Sequence, residues 1–342
     1  MLGDEQMKRL FIFLLAIICL FLTKNVWAAN YIYVSGASIG IKLNTDVEVL
    51  GTFGVNTEND VLKPWDNLIY EHDILKKVNG ENIVSSSFLE NKIQSSNGDD
   101  LNIVLLRHNE EHCVKVKPVK GNEGYSLGLY IKDCDLGIGT LTFCNEDGHF
   151  ASLGHKMVDK EIKGGQLYYS NVTGIVKPRG NIPGEKRATF EKNVIGQISS
   201  NLKIGVYGTI SDSKELQKME KMELAHKEEA HKGRAYILTC VNSNTISSFE
   251  VEIKECLNQT KEEEKGLKLK ITDSKLQNIA GGIVQGMSGS PIIQDGKLIG
   301  ALSHVSIKNP LEGYGCYAEF MYEIYKKISS ELSDDILTLL DV

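Results

Sequence analysis

After Ser126 the chain consists of short apolar stretches divided by glycines. Gly137-Ile138-Gly139-Thr140-Leu141-Thr142-Phe143 and Phe150-Ala151-Ser152-Leu153-Gly154-His155 come first. Others follow at 194–198, 205–210, 235–241, 249–253 and 267–271. Such segments are too short to make well-buried helices, and their near-regular spacing predicts a mostly β fold closed as a Greek-key barrel or sandwich. A length of 342 residues predicts two domains. With 42% hydrophobic and 24% charged residues the composition is that of a globular protein. A net charge of −7 lacks the basic surface that nucleic acid requires, so proteins and peptides are the expected targets.

From Tyr31 to about Lys120 short strands alternate with turns. Ser38-Ile39-Gly40-Ile41-Lys42-Leu43 leads to a second apolar stretch at 47–53, and Asn79-Gly80 supplies the positive φ angles of a hairpin. A helix is expected over 86–96, and a closing hairpin from 101–107 and 113–119. Ser38-Ile39-Gly40-Ile41 followed by Asp73-Ile74-Leu75 and Val78-Asn79-Gly80 resembles a bacterial PDZ domain. That resemblance implies that Ser38, Ile39, Gly40 and Ile41 form a loop whose N–H groups receive a peptide carboxylate, beside a strand that pairs with the peptide. Asn67 to His72 departs from the usual Ala-Gly-Ile-x-x-Gly and implies an altered groove. The expected division is a leader at 1–29, a PDZ-type domain at 31–120 and a peptidase domain at 121–342.

Lys8 and Arg9 precede an apolar run, Leu10 to Thr23, and then Val26-Trp27-Ala28-Ala29. A basic start, about a dozen apolar residues and a terminal small residue make a secretory signal pattern. The run is shorter than the roughly 20 residues of a membrane span, so a signal peptide is favoured over an uncleaved signal-anchor. Either way the remainder works outside the cytoplasm, with membrane association through this segment as the alternative. The seven cysteines show no CxxC spacing and are read mostly as buried small hydrophobes, with a Cys134–Cys144 bridge left open. The Lys/Glu-dense run from Lys214 to Lys232 reads as a solvated helix or loop. His226 and His231 miss the i, i+4 spacing of a zinc-protease helix, and no metal or cofactor is assigned.

The sharpest feature is Gly281-Gly282-Ile283-Val284-Gln285-Gly286-Met287-Ser288-Gly289-Ser290-Pro291-Ile292-Ile293. A Gly-x-Ser-Gly-x-Pro turn entering an apolar strand is how chymotrypsin-like peptidases present a nucleophile, here Ser288. Gly286 permits close approach of a scissile carbonyl, so the amides of Gly286 and Ser288 can form an oxyanion hole, each donor contributing on the order of 3 kcal/mol. A serine hydroxyl needs a base. His155 is the candidate, because it follows an apolar strand and a glycine and precedes the serine in chain order. His304 is the rival, read as a packed strand residue lining the cleft. Asp273 could orient the base, and the residues alone do not separate it from Asp133, Asp135 or Asp159. The rival function is a secreted PDZ adaptor whose barrel is catalytically inactive.

Taken together, the chain resembles the stage IV sporulation protein B (SpoIVB) serine peptidases of endospore-forming bacteria. The similarity rests on Ser38 to Leu43, Gly137 to Phe143, Leu153-Gly154-His155, Pro183-Gly184-Glu185, Gly281 to Leu298 and Gly313-Tyr314-Gly315. It implies a catalytic triad of His155, Asp273 and Ser288. It also implies export into the space between the forespore membranes and cleavage of a membrane-bound regulator of an intramembrane metalloprotease. That cleavage leads to maturation of a mother-cell sigma factor, and self-cleavage near the amino terminus is implied as well. Two stretches depart from the family pattern. Gly154-His155-Lys156-Met157-Val158-Asp159 replaces Gly-His-x-Ile-Ser-Asp, and Ser303 to Pro310 replaces Thr-His-Val-Phe-Val-Asn-Asp-Pro. Both leave room for a paralogue with a shifted substrate.

Overall fold

The structure, a computed structural model, describes residues 30–211 and 216–328, so the expected leader lies outside the described residues. In chain order the strands begin with β1 (Tyr31–Val34), β2 (Ser38–Thr52), β3 (Val55–Asn56), β4 (Val61–Leu62), β5 (Ile74–Val78) and β6 (Glu81–Asn82). Helix α1 (Ser86–Ser95) precedes β7 (Leu101–Arg107), β8 (Glu110–Val116), β9 (Val119–Gly121), β10 (Gly124–Ser126) and β11 (Leu129–Cys144). Then come β12 (His149–Ser152), β13 (Gly165–Val176), β14 (Glu185–Leu202), β15 (Gly205–Ile210), β16 (Glu220–Leu224), β17 (Gly233–Cys240), β18 (Ile246–Cys256) and β19 (Leu267–Ile271). Helix α2 (Ser274–Ala280), β20 (Pro291–Gln294), β21 (Lys297–Val305) and β22 (Glu312–Tyr317) lead to a helix α3 described over 318–328.

Two six-stranded antiparallel rings follow from the pairings. In the first, β2 pairs with β11, β11 with β12, β12 with β15, β15 with β14, β14 with β13, and β13 closes on β2. Its interior holds Ile39, Ile41, Leu43, Leu141, Phe150, Leu153, Leu167 and Val206. In the second, β17, β18, β19, β22, β21 and β20 pair in that circular order. Ile237, Val251, Leu269, Ile271, Met287 and Ile292 fill it. β1 and β16 join the rings: β1 pairs with β11 and β16, and β16 runs parallel to β21. Closure leaves few strand edges to protect, which short alternating segments favour.

β2 contributes to two separate packed cores. Every second side chain from Ile39 to Val49 points inward, but Ile39 to Leu43 enter the first barrel. Val47 and Val49 instead pack with Leu75, Val78, Leu89, Ile103 and Leu105 in a small unit around α1. The core of that unit extends to Leu127, with Leu129 and Ile131 packed on it, so β2 and β11 are shared by both bodies.

The expectation that Ser38 to Ile41 form an open carboxylate-receiving loop is corrected. One edge of this segment pairs with β11 and, from Ile39 on, the other pairs with β13. Ile39 and Ile41 are fully buried, and the hydroxyls of Ser38 and Ser170 are hydrogen-bonded at 2.8 Å. A backbone with both edges paired has no amides to offer a peptide.

Smaller expectations shift too. The hairpin after β7 turns at His108 and Asn109, with φ of 51° and 65°, so its second strand starts earlier than residue 113. Within the Lys/Glu run, residues 212–215 lie outside the described residues. Glu220–Leu224 is a strand, with Met222 and Leu224 buried, rather than a solvated helix or loop. Cys134 and Cys144 are free and lie on the single extended strand β11, which holds them far beyond bridging distance. Cys144, Cys240 and Cys316 are buried.

Candidate active site

Helix α2 ends at Gly281, whose φ of 74° makes a left-handed C-cap. Residues 282–290 then run without a helix or an extended strand into β20, held from three sides. At the start of β14, the Gly184 carbonyl accepts from the Gln285 amide at 2.8 Å, and the Lys186 amide donates to the Gln285 carbonyl at 2.9 Å. From β11, the Thr140 hydroxyl donates to the Gly286 carbonyl at 3.1 Å and the Thr142 hydroxyl to the Gly289 carbonyl at 2.8 Å. From β21, the Leu302 carbonyl accepts from the Gly289 amide at 2.7 Å. Gly289 has a φ of 90°, and a Cβ there would sit 2.0 Å from the Thr140 carbonyl. Only glycine lets the loop close on β11.

These bonds and two internal ones occupy the amides of Gln285, Met287, Gly289 and Ser290. Among the described residues, the amides of Gly286 and Ser288 have no acceptor. Two unpaired N–H groups flanking the Ser288 side chain are what an oxyanion hole requires. They border a cleft of about 460 Å³ whose lining includes Ser288, His155, His304, Gly286, Leu153, Met157, Val284 and Val305.

His155 reaches this cleft from the first barrel. Past β12, Leu153 and Gly154 both adopt left-handed angles, 70° and 69°, and turn the chain. A buried non-glycine residue held there is local strain of the kind found at functional sites. The His155 Nδ1 lies 2.7 Å from the Lys156 carbonyl. A carbonyl carries no proton, so Nδ1 holds it and Nε2 is left as the basic nitrogen. The Ser288 hydroxyl donates to the Ser303 carbonyl at 3.1 Å, a resting position beside the cleft.

His304 stands next to His155, with ring centroids 5.2 Å apart and planes at 47°. Burial, then the charges of His155 and Lys265, push its pKa down to about 4, so it is neutral at pH 7. Its Nε2 lies 3.7 Å from a Glu264 carboxylate oxygen, and its Nδ1 is buried without a hydrogen-bond partner.

Residues 123–322 match the SpoIVB peptidase S55 family, 200 of the 342 residues. The chain belongs to that family. This peptidase is a serine endopeptidase. No curated protein matches its sequence. Among solved structures, the inactive form of the Rv3671c protease is similar, at 12% identity and a TM-score of 0.34, covering 56% of this chain and 84% of that one. A variant of Rv3671c from M. tuberculosis H37Rv gives 10% identity and a TM-score of 0.32, over 57% of this chain and 82% of the other. The HtrA-type protease AlgW with a decapeptide gives 10% identity and a TM-score of 0.37, over 87% and 66%.

The four candidate aspartates lie elsewhere. Asp273 is the N-cap of α2: its Oδ1 accepts from the amides of Lys275 and Leu276 at 2.8 and 3.1 Å, and its Oδ2 from that of Glu250 at 3.5 Å. It does not line the cleft. Asp133 accepts from the amide and hydroxyl of Ser86, Asp135 pairs with Lys132, and Asp159 is solvent-exposed beside Lys156. The structure thus brings Ser288, Gly286, His155 and His304 to one cleft and leaves all four acids out of it.

Sequence reasoning missed Thr140, Thr142 and Lys186. The two threonines alternate with Leu141 and Phe143, which puts both hydroxyls on one face of β11. Nothing in Glu185-Lys186-Arg187 marks the middle residue as interior, yet Lys186 is 4% exposed. Its Nζ donates to the Thr239 hydroxyl at 2.9 Å, and burial pushes its pKa down to about 8. Its stem lies 3.1–3.3 Å from where a Cβ on Gly286 would be. No helix among the described residues is long and apolar enough to cross a membrane.

Proposed function

We propose that Ser288 is the nucleophile and His155 the general base of peptide-bond hydrolysis, with the imidazole oriented by the Lys156 carbonyl. The observation that carries this is the pair of free amides at 286 and 288, beside a serine sharing its cleft with an imidazole basic at Nε2. The serine hydroxyl turns from the Ser303 carbonyl and gives its proton to Nε2 as it attacks. The two amides then take the oxyanion, the imidazolium protonates the leaving amine, and water repeats the sequence to release the acid. Two closed antiparallel rings with the reactive residues between them support a chymotrypsin-like double barrel. In this reading Asp273 secures α2 rather than completing a triad.

Family membership and the leader pattern support a further reading of the biology. The enzyme is exported across the cytoplasmic membrane, its leader cleaved or retained as an anchor, and acts between the forespore membranes. It cleaves a membrane-anchored regulator of an intramembrane metalloprotease, so that a mother-cell sigma factor matures, and it cleaves its own N-terminal region. The small unit around α1 is a PDZ-type module that recognises substrate, with its groove away from Ser38 to Ile41. The test is to incubate the purified protein and its Ser288→Ala variant and map new amino termini by mass spectrometry. New termini are expected only with Ser288 present, and a self-processing Ser288→Ala protein contradicts the reading.

A further inference from the structure

We infer that the cleft selects an apolar side chain on the residue immediately N-terminal to the scissile bond. This rests on Ser288 being the nucleophile. Once the scissile carbonyl carbon lies at Ser288 Oγ with its oxygen at the amides of Gly286 and Ser288, the neighbouring space is fixed. The side chain of the residue that supplies that carbonyl must enter between the 283–286 loop and the end of β21. That wall is made by Ile283, Val284, Leu302, Val305 and Ile307.

No Asp, Glu, Lys or Arg lines the cleft. Buried Lys186 gives its ammonium to Thr239, and with Glu185 it lines an adjoining hollow across Gly137, Ile138, Gln285 and Gly286 rather than the cleft itself. A charged side chain entering here would lose its water with no charged side chain among the lining residues to meet it, the Glu264 carboxylate lying 3.7 Å from His304 Nε2, whereas an apolar one gains by burial. The rim points the same way. Ile307 is 66% exposed, and Ile182, beside the lining residue Pro183, is 71% exposed. Large aliphatic side chains left bare at the mouth of a cleft mark a surface that apolar substrate covers.

The experiment measures kcat/KM on peptides identical except at this position, which carries Leu, Met, Lys or Glu. Leu and Met are expected to exceed Lys and Glu by about 100-fold or more. Lys or Glu within about threefold of Leu overturns the inference. Ile307→Asp, at an exposed site that folding tolerates, and Val305→Asp, checked by thermal melting, should each raise the Lys-to-Leu ratio about tenfold. An unchanged ratio in both folded variants also overturns it. Binding of the same peptides, fluorescently labelled, to Ser288→Ala protein is read by anisotropy. Apolar-selective binding without any cleavage by the wild type sinks the nucleophile assignment and keeps the pocket. Cleavage with a charged preference sinks the pocket alone.

Discussion

The amide of Thr140 donates to the carbonyl of Ser288 across 2.8 Å, so the proposed nucleophile residue is hydrogen-bonded to the opposite barrel. The Thr140 hydroxyl adds a bond to the Gly286 carbonyl, two residues upstream. Thr140 therefore sets the height of the 286–288 segment against β11 from both its main chain and its side chain.

Thr140→Val keeps the shape and the main-chain bond but leaves the Gly286 carbonyl without its hydroxyl. Stability is expected to fall by about 1–2 kcal/mol, because a buried polar partner is lost. kcat is expected to fall about tenfold with KM nearly unchanged, because the amides at 286 and 288 lose their fixed position. Urea melts and steady-state kinetics on one peptide check both. Wild-type kcat in a destabilised variant contradicts the positioning role.

Asp273→Ala removes the N-cap of α2 and is expected to cost about 1 kcal/mol. Asp273→Asn retains a capping side chain, so it should restore stability and keep kcat within about threefold of wild type. A stable Asp273→Asn protein that loses about 10⁴ in kcat would instead put this carboxylate in the catalytic chain.

Lys186 has a folded pKa of about 8, below its ordinary 10.5. Folding therefore expels a proton between these values. The residue's penalty is full below pH 8 and disappears as pH rises to 10.5. Lys186→Met removes that penalty and is expected to stabilise the protein at pH 7 by about 2 kcal/mol, after subtracting the lost bond to Thr239. Urea midpoints at pH 7 and pH 10 should show the gain shrinking at the higher pH. An equal gain at both contradicts a buried, charge-disfavouring site.

Much of this architecture was readable in advance, and the rest was hidden for physical reasons. Short apolar stretches and glycine turns pointed to barrels, and the turn around Ser288 and the strand-glycine-histidine at 150–155 pointed to one cleft. Ser38 to Ile41 misled because a PDZ-like stretch of residues does not record which strands pair with its edges, and here β11 and β13 take both. Asp273 precedes Ser274-Lys275-Leu276, a helix start that reads equally as a cap, and the cap is what the structure holds. Glu220–Leu224 was masked by charge density, although Met222 and Leu224 keep period two. The carbonyl that fixes the His155 tautomer belongs to the backbone of Lys156 and has no side-chain signature.

The most direct test of the His155–Ser288 assignment is the rate at which a fluorophosphonate probe labels Ser288 in wild type, His155→Ala and His304→Gln, with Ser288→Ala as the blank. Labelling is expected in the wild type, at least about 10³-fold slower in His155→Ala, and within about threefold of wild type in His304→Gln. Undiminished labelling of folded His155→Ala, with loss in His304→Gln, would contradict the account and move the base to the neighbouring ring.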